Sequence, residues 1–536
     1  LFSPEGAPLF RWSGAMTGQQ LRLDAGPIDG PALLSANRGF AAPVLVEPIA
    51  PSPSGQLEQL AREVAEAIQF NESLSGPFPF SRLAVAQIPG SFGQGWPGLL
   101  YLSTLSFLSP AAQARIGASD RTQAQFLDLV PPHEVAHQWW GNLAGWSSYR
   151  DQWISEGLAN YLALMFAESR KPGEVLKEWL RVYRDRLKLK ERGSDAAVGE
   201  AGPLVLGRRL MSSKSPTAYT SILYGKGTWV LHMLRTMLRD EKAAEPDARF
   251  AQLLRALATD YRHRALSTAD LQREVEKLMT KEMDLEGGRS MEWFFEQWVE
   301  QPGAPALSLG EVRADRTTDA GGRDVWRLAV QVRQTGKPFR ATVPVQITTS
   351  DAIETRWIPI SRPAETAELV LSHRPLLVRL DPDLTVFRRL ERTQLPPMLN
   401  GYVTDRRRTV VSAFSDPTSP LQQVVARIAD QEAGRPEDRK TTRVGAPDTV
   451  PPEGSVLVLT DPAGRSAVRG LIGESCGDRV ALEETGVRID GQAYEGPALA
   501  VLFSCPRANV PGGVVTVLYG VTPSAVAKVS RLLFYY

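Results

Sequence analysis

Two histidines stand four residues apart in His133-Glu134-Val135-Ala136-His137, and a further carboxylate, Glu156, follows nineteen positions after His137. Residues four apart share one face of an α-helix, so both imidazoles can aim at one point. Two imidazole nitrogens at such a point are half of a tetrahedral zinc site. Glu156 falls in a second helical stretch, expected over Gln152–Ala167, and can close a His-His-Glu set. Three protein ligands leave one position open, which marks a catalytic rather than a structural zinc. Glu134 sits one step round the helix, where it can reach a metal-bound water. The chemistry read from these residues is hydrolysis assisted by one zinc ion.

Taken alone, a His-Glu-x-x-His run is short enough to arise by chance on a surface helix. Its neighbourhood argues otherwise. Trp139-Trp140-Gly141-Asn142 follow directly, and Trp153-Ile154-Ser155 precede Glu156-Gly157. Polar groups set among so many apolar and aromatic residues should be buried, and buried charge requires a partner such as a metal.

The run His133–Asn142, with Glu156-Gly157 at its spacing from His137, resembles the aminopeptidase N family of gluzincin metallopeptidases, which includes the leukotriene hydrolase type. Ala218-Tyr219-Thr220-Ser221-Ile222-Leu223-Tyr224-Gly225-Lys226-Gly227 is similar to a second block of that family, in the expected order. The resemblance implies zinc held by His133, His137 and Glu156, with Glu134 as general base and then acid. It implies that Tyr224 donates to the oxyanion, with Tyr219 as a neighbouring candidate. Read without the family, Tyr224 is better explained as a helix-capping or core aromatic. Asp151 matches an aspartate position of many relatives and is a candidate to orient a zinc-bound imidazole, the alternative being a solvated loop aspartate.

Two departures from the family pattern stand out. Family exopeptidases carry a Gly-x-Met-Glu-Asn stretch whose glutamate binds the substrate's free amine. Its counterpart here is Phe92-Gly93-Gln94-Gly95-Trp96-Pro97-Gly98-Leu99, which keeps Pro-Gly-Leu and has no carboxylate. Gly93, Gln94 and Gly95 still offer backbone groups to an extended peptide. Beyond Glu156, a glutamate of many relatives is replaced by Ala163, and Ser155 stands where they have Asn. Aminopeptidase action is the expected mode from the wider match. An endopeptidase on the same scaffold, or a non-catalytic binding or scaffold protein, are the alternatives.

The elements that must position these residues fall into four regions of a multidomain α+β chain. Residues 1–53 read as the remnant of an N-terminal β-domain. Residues 54–301 read as the catalytic domain, which the resemblance makes thermolysin-like. It should open with a helix from near Gln56, carrying Leu57, Leu60, Val64 and Ile68 at helical spacing. Strands are expected at Leu83–Ile88 and Leu99–Phe107, and the zinc helix is expected to begin at Pro131-Pro132, since proline suits the first turn. Residues 302–392 alternate with period two, as in Trp326–Val332 and Ala341–Ile347, and predict an immunoglobulin-like β-sandwich. Residues 395–536 alternate strands with helices and predict an α/β domain with a mainly parallel sheet.

With 536 residues the chain exceeds a single core. Its 61 basic and 60 acidic residues give a net charge of +1, which implies no nucleic-acid or anionic-membrane partner. The arginine clusters Arg208-Arg209 and Arg406–Arg408 read as solvated faces. No apolar run is long enough to span a membrane. A peptide or protein is the expected substrate. The chain opens on Leu1 and stops inside an apolar run, so both ends read as cuts through a longer protein whose leader is missing. Two cysteines, Cys476 and Cys505, allow one disulfide or two buried thiols. A periplasmic or extracellular location is the favoured expectation.

Overall fold

The computed structural model describes residues 10–17, 20–27, 53–88, 92–109, 121–173, 175–190, 196–319, 321–405, 407–414, 422–426, 428, 441–446, 449–472, 474–530 and 533. Most of the expected N-terminal remnant, 1–53, therefore lies outside the described residues. The chain divides into two compact units, Leu1–Arg389 and Leu390–Tyr536. Mixed helix and strand make up both.

In the first unit, α1 (Pro53–Ser75) buries Leu57, Leu60, Val64 and Ile68 along one stripe, as their spacing dictates. A five-stranded sheet follows the order β2-β1-β3-β5-β4. Its strands are β1 (Phe10–Thr17), β2 (Gln20–Pro27), β3 (Arg82–Ile88), β4 (Gln94–Trp96) and β5 (Leu99–Ser103). The hairpin β1–β2 joins it through β1, which runs antiparallel to β3 with Trp12 opposite Val85. Strand β4 is an edge. The strand expected over Leu99–Phe107 stops at Ser103, because the Ser103 hydroxyl accepts from Leu105 N–H and caps a 3₁₀ turn over Thr104–Phe107.

Helix α2 (Arg121–Ala136) starts ten residues before the expected proline start, and both prolines lie inside it. Each proline lacks only its own N–H, so the helix forgoes the bonds to the carbonyls four residues back. The two are fully packed, as are all residues from Leu129 to Trp140, and burial holds the turn that propensity alone would break. Helix α3 (Gln152–Arg170) lies against α2, and its first four turns are buried except at Glu156. After it come the longer helices α4 (Val175–Arg186), α5 (Gly227–Leu238), α6 (Ala248–Asp260) and α7 (Thr268–Leu278). The short α8 (Glu292–Trp298) buries Trp293, Phe294, Phe295 and Trp298.

Between α2 and α3, β6 (Ala144–Trp146) pairs in parallel with β7 (Arg264–Leu266) and ties that loop to the turn before α7. Two antiparallel three-stranded sheets complete the unit. One has the order β12-β9-β8, from β8 (Ala306–Thr318), β9 (Asp324–Thr335) and β12 (Ala364–Leu371). The other has the order β11-β10-β13, from β10 (Ala341–Thr349), β11 (Ile353–Ile360) and β13 (Pro375–Leu380). Alternate residues Leu328, Val330 and Val332, and Val343, Val345 and Ile347, point into a core continuous with that of the helices.

The second unit is built on a sheet of order β15-β14-β16-β21-β20. Strands β14 (Arg407–Ala413), β15 (Thr441–Gly445), β16 (Ser455–Thr460) and β21 (Val514–Gly520) run parallel, and β20 (Ala500–Pro506) runs antiparallel. Both faces are covered, by one cluster around Val410, Leu457 and Leu518 and another around Val411, Val458 and Val517. That explains the unbroken apolar runs of these strands. Cys476 and Cys505 form a disulfide within this unit.

Candidate active site

The last turn of α2 carries His133 and Glu134, and the tight turn after it carries His137, whose N–H still bonds the His133 carbonyl at 3.2 Å. The two imidazole Nε2 atoms face each other at 3.0 Å. Glu156, one turn into α3, brings Oε2 to 3.7 Å from His133 Nε2 and 3.5 Å from His137 Nε2. Among the described residues this is the group of three whose ligand atoms all lie within 4.8 Å of one another.

The three fit a metal ion on their own geometry. Glu156 Oε2 is buried and has no hydrogen-bond partner. The two Nε2 atoms lie 3.7 and 3.5 Å from it. His137 Nδ1 donates to the Trp140 carbonyl at 2.8 Å, which turns Nε2 toward the site. Burial alone would raise the Glu156 carboxyl, but the imidazoles of His133 and His137 hold it well below the usual carboxylate range. An N₂O donor set of this kind suits zinc.

Glu134 is buried beside them, and burial pushes its carboxyl up against the pull of both histidines. Across it lies β4. A Cβ on Gly93 would come within 2.6 Å of Glu134 Oε1, and one on Gly95 within 2.7 Å of the Glu134 carbonyl and 2.9 Å of His137 Cβ. Glycine at both positions is what lets the strand lie on the zinc helix. Gln94, between them, is exposed.

Two side chains to which the sequence pattern assigns no role hold that strand in place. Gln138 accepts from Gly98 N–H and donates to the Trp96 carbonyl, both at 2.9 Å, and Asn142 donates to the Gly95 carbonyl at 3.2 Å. The available signal was a polar glutamine between a zinc ligand and two tryptophans. Its partners forty residues earlier have no periodic trace.

Tyr224 stands on a π-helical turn, Ser221–Lys226, the widened geometry often found at functional sites. Its ring stacks on His133 at 5.7 Å. Burial first, and then the Glu156 carboxylate, push its hydroxyl far above the ordinary tyrosine range, so it stays protonated. Tyr219 packs edge-on to Tyr224 at 6.3 Å and accepts from Gln152 at 2.9 Å. The π-turn reaches the site because Gly227 and Gly157 let α5 and α3 touch backbone to backbone. A Cβ on Gly227 would sit 3.4 Å from Gly157 Cα.

Asp151 is placed differently from the expectation of an imidazole partner. Its Oδ1 accepts from Thr268 N–H at 2.8 Å and Thr268 Oγ1 at 3.0 Å, and its Oδ2 accepts from Ser148 Oγ at 2.8 Å. It fastens the start of α3 to the start of α7. Ser155 supports the histidine turn instead, donating to the same Trp140 carbonyl at 2.8 Å.

Residues 62–298 match the peptidase family M1 domain. The sequence resemblance to the aminopeptidase N family thus holds, and the His-His-Glu cluster, Glu134 and Tyr224 all lie inside the matched segment. The chain is similar to aminopeptidase N of Lactococcus lactis subsp. lactis, 25% identical over 190 residues, which are 35% of this chain and 20% of that protein. It is also similar to aminopeptidase N of Mus musculus, 23% identical over 239 residues, or 44% of this chain and 23% of that protein. A crystal structure of Legionella pneumophila aminopeptidase A with aspartic acid aligns at TM-score 0.44 and 14% identity, over 64% of this chain and 35% of that one. The matches to the two curated relatives thus span about a fifth of their length.

Proposed function

We propose that this chain hydrolyses peptide bonds as a zinc-dependent aminopeptidase, with one zinc ion held by His133, His137 and Glu156. The observation that carries the reading is the convergence of Glu134 and Tyr224 on the space those three ligands face. A bound zinc ion would lower the pKa of water towards neutrality and polarise a scissile carbonyl. Glu134 takes the proton from the attacking water and delivers it to the departing amine. Tyr224 donates its hydroxyl proton as a hydrogen bond to the oxygen that gains charge. The edge of β4, at Gly93, Gln94 and Gly95, offers backbone groups along which an extended peptide can lie.

On this reading the sheet and helical lobe of 54–301 form a thermolysin-like catalytic domain. An immunoglobulin-like sandwich over 302–392 and an α/β domain over 395–536 follow it. No helix among the described residues is long and apolar enough to cross a membrane. The Cys476–Cys505 disulfide favours an oxidising compartment, periplasmic or extracellular.

One observation favours an endopeptidase as the second reading. The stretch Phe92–Leu99 has no carboxylate to anchor a free amine, and Gly93 and Gly95 leave no room for one. Free-amine aminoacyl amides and N-acetylated, internally quenched peptides, assayed side by side, separate the modes. Cleavage of the free-amine set alone supports the aminopeptidase. Cleavage of blocked peptides assigns an endopeptidase, and silence on both with zinc bound would overturn the hydrolase reading.

A further inference from the structure

A cavity of about 360 Å³ lies within the first unit, and none of the three zinc-site residues lines it. Six cations do: Arg184, Lys188, Lys226, Lys337, Arg388 and Arg389. Among the described residues the carboxylate that lines it is Glu200. Asp185 pairs with Arg184 and Lys188, and Asp381 pairs with Arg388. The six lining cations are thus offset by Glu200, which stands 4.0 Å from Arg389, and by two carboxylates outside the lining, Asp185 and Asp381.

Three of the cations are buried, with Lys226 1% exposed and Arg184 and Arg388 each 6%. A buried charge requires a full set of partners. Arg388 has one, in Asp381 and the carbonyls of Leu307 and Leu380. Lys226 does not. Its ammonium donates to the Gln301 carbonyl at 2.6 Å, while an ammonium carries three donors. Burial accordingly pushes Lys226 down to about 7, and burial, with Arg184 and Arg388 adding to it, pushes Lys188 down as well. The remaining Lys226 donors, with the rim cations Lys337, which also donates to Gln301 Oε1 at 2.6 Å, and Arg389, are what a multiply charged oxyanion would engage.

We propose that this cavity binds a small oxyanion of at least two charges, a phosphate or a dicarboxylate, with Lys226 as its buried contact and Lys337 and Arg389 at its mouth. Lys226 closes the π-turn that carries Tyr224. Occupancy therefore steadies the segment on which Tyr224 stands. The inference does not depend on the hydrolase reading, because binding and backbone protection report it without turnover.

Calorimetric titration of the full chain with inorganic phosphate and with succinate, over a sodium chloride background of matched ionic strength, tests it. Hydrogen exchange of residues 221–227 is followed in parallel. Saturable binding of either ion is expected, with slowed exchange of that segment. Phosphate or succinate binding the tighter identifies the anion class. The Lys337→Ala/Arg389→Ala variant changes exposed groups and should keep its fold while binding about tenfold more weakly. Lys226→Met should abolish binding; should it fail to fold, the double variant carries the test. No saturable binding of either ion, or undiminished binding in the double variant, which would put the ion at another locus such as the metal centre, overturns the proposal.

Discussion

Gly95 lies so close to His137 that a Cβ on it would stand 2.9 Å from the His137 Cβ. The edge strand β4 and the zinc helix are therefore in backbone contact, and the open edge that could take a peptide lies directly beside Glu134. Gly95→Ala must push one of the two aside. A displacement approaching 1 Å at a reacting group costs on the order of 10²-fold in rate. We expect kcat/KM to fall by about that factor while metal content stays unchanged, and a fully active variant would refute the contact.

Gln138 is fully buried and spends both amide groups on the β4–β5 turn. Gln138→Leu strands Gly98 N–H and the Trp96 carbonyl, at a cost of roughly 1–3 kcal/mol. Calorimetry should show a lower Tm, and KM for extended peptides should rise more than kcat falls. A change in kcat alone would mean that the strand does not serve substrate binding.

Gly157 and Gly227 bring α3 and α5 together, and with them Glu156 and Tyr224. A Cβ on Gly157 would already lie 3.2 Å from Leu231 Cδ1 and 3.3 Å from the Gly227 carbonyl carbon. Gly157→Val should cost about 1–3 kcal/mol through overpacking. Activity should fall beyond what the lost folded fraction explains, because Tyr224 moves away from Glu156. Activity falling only in step with denaturant-measured stability would contradict this.

Glu63 on α1 predicts a pH dependence away from the site. Burial pushes its carboxyl up to about 7, with Asp128 and Glu66 adding to the rise and Arg170 opposing it. The folded chain thus holds a proton that the unfolded chain loses near the ordinary value of 4.5. Its contribution to stability is fully present below that value. As pH rises from there through 7, the contribution is lost at about 1.4 kcal/mol for each pH step of one. Thermal unfolding between about pH 5 and pH 8 should show a shallower decline for Glu63→Gln than for wild type. Equal slopes would exclude Glu63 as the source.

What the sequence made legible follows from local geometry. The spacing of His133 and His137 placed those two together because i and i+4 share a helix face, while Glu156, in a second helix, was joined to them by the family resemblance. Period-two alternation likewise marked Trp326–Val332 and Ala341–Ile347 as strands. Contacts made across long stretches of chain left no such mark. Nothing local ties Gln138 to Gly98, or Asp151 to Thr268 rather than to an imidazole. Pro131 and Pro132 misled in the opposite way, since local preference favours a helix start there and packing carries α2 through them. Gly157 and Gly227 were visible as motif members, but their purpose, bringing two helices into backbone contact, appears only in three dimensions.

The central claim is that Glu134 moves the proton in a hydrolysis supported by a zinc ion on His133, His137 and Glu156. Zinc stoichiometry and turnover, measured together on wild type and Glu134→Gln, test it most directly. One zinc per chain is expected in both proteins, with a loss of about 10²–10⁴-fold in kcat for the variant. Undiminished turnover in a variant that keeps its zinc would contradict it.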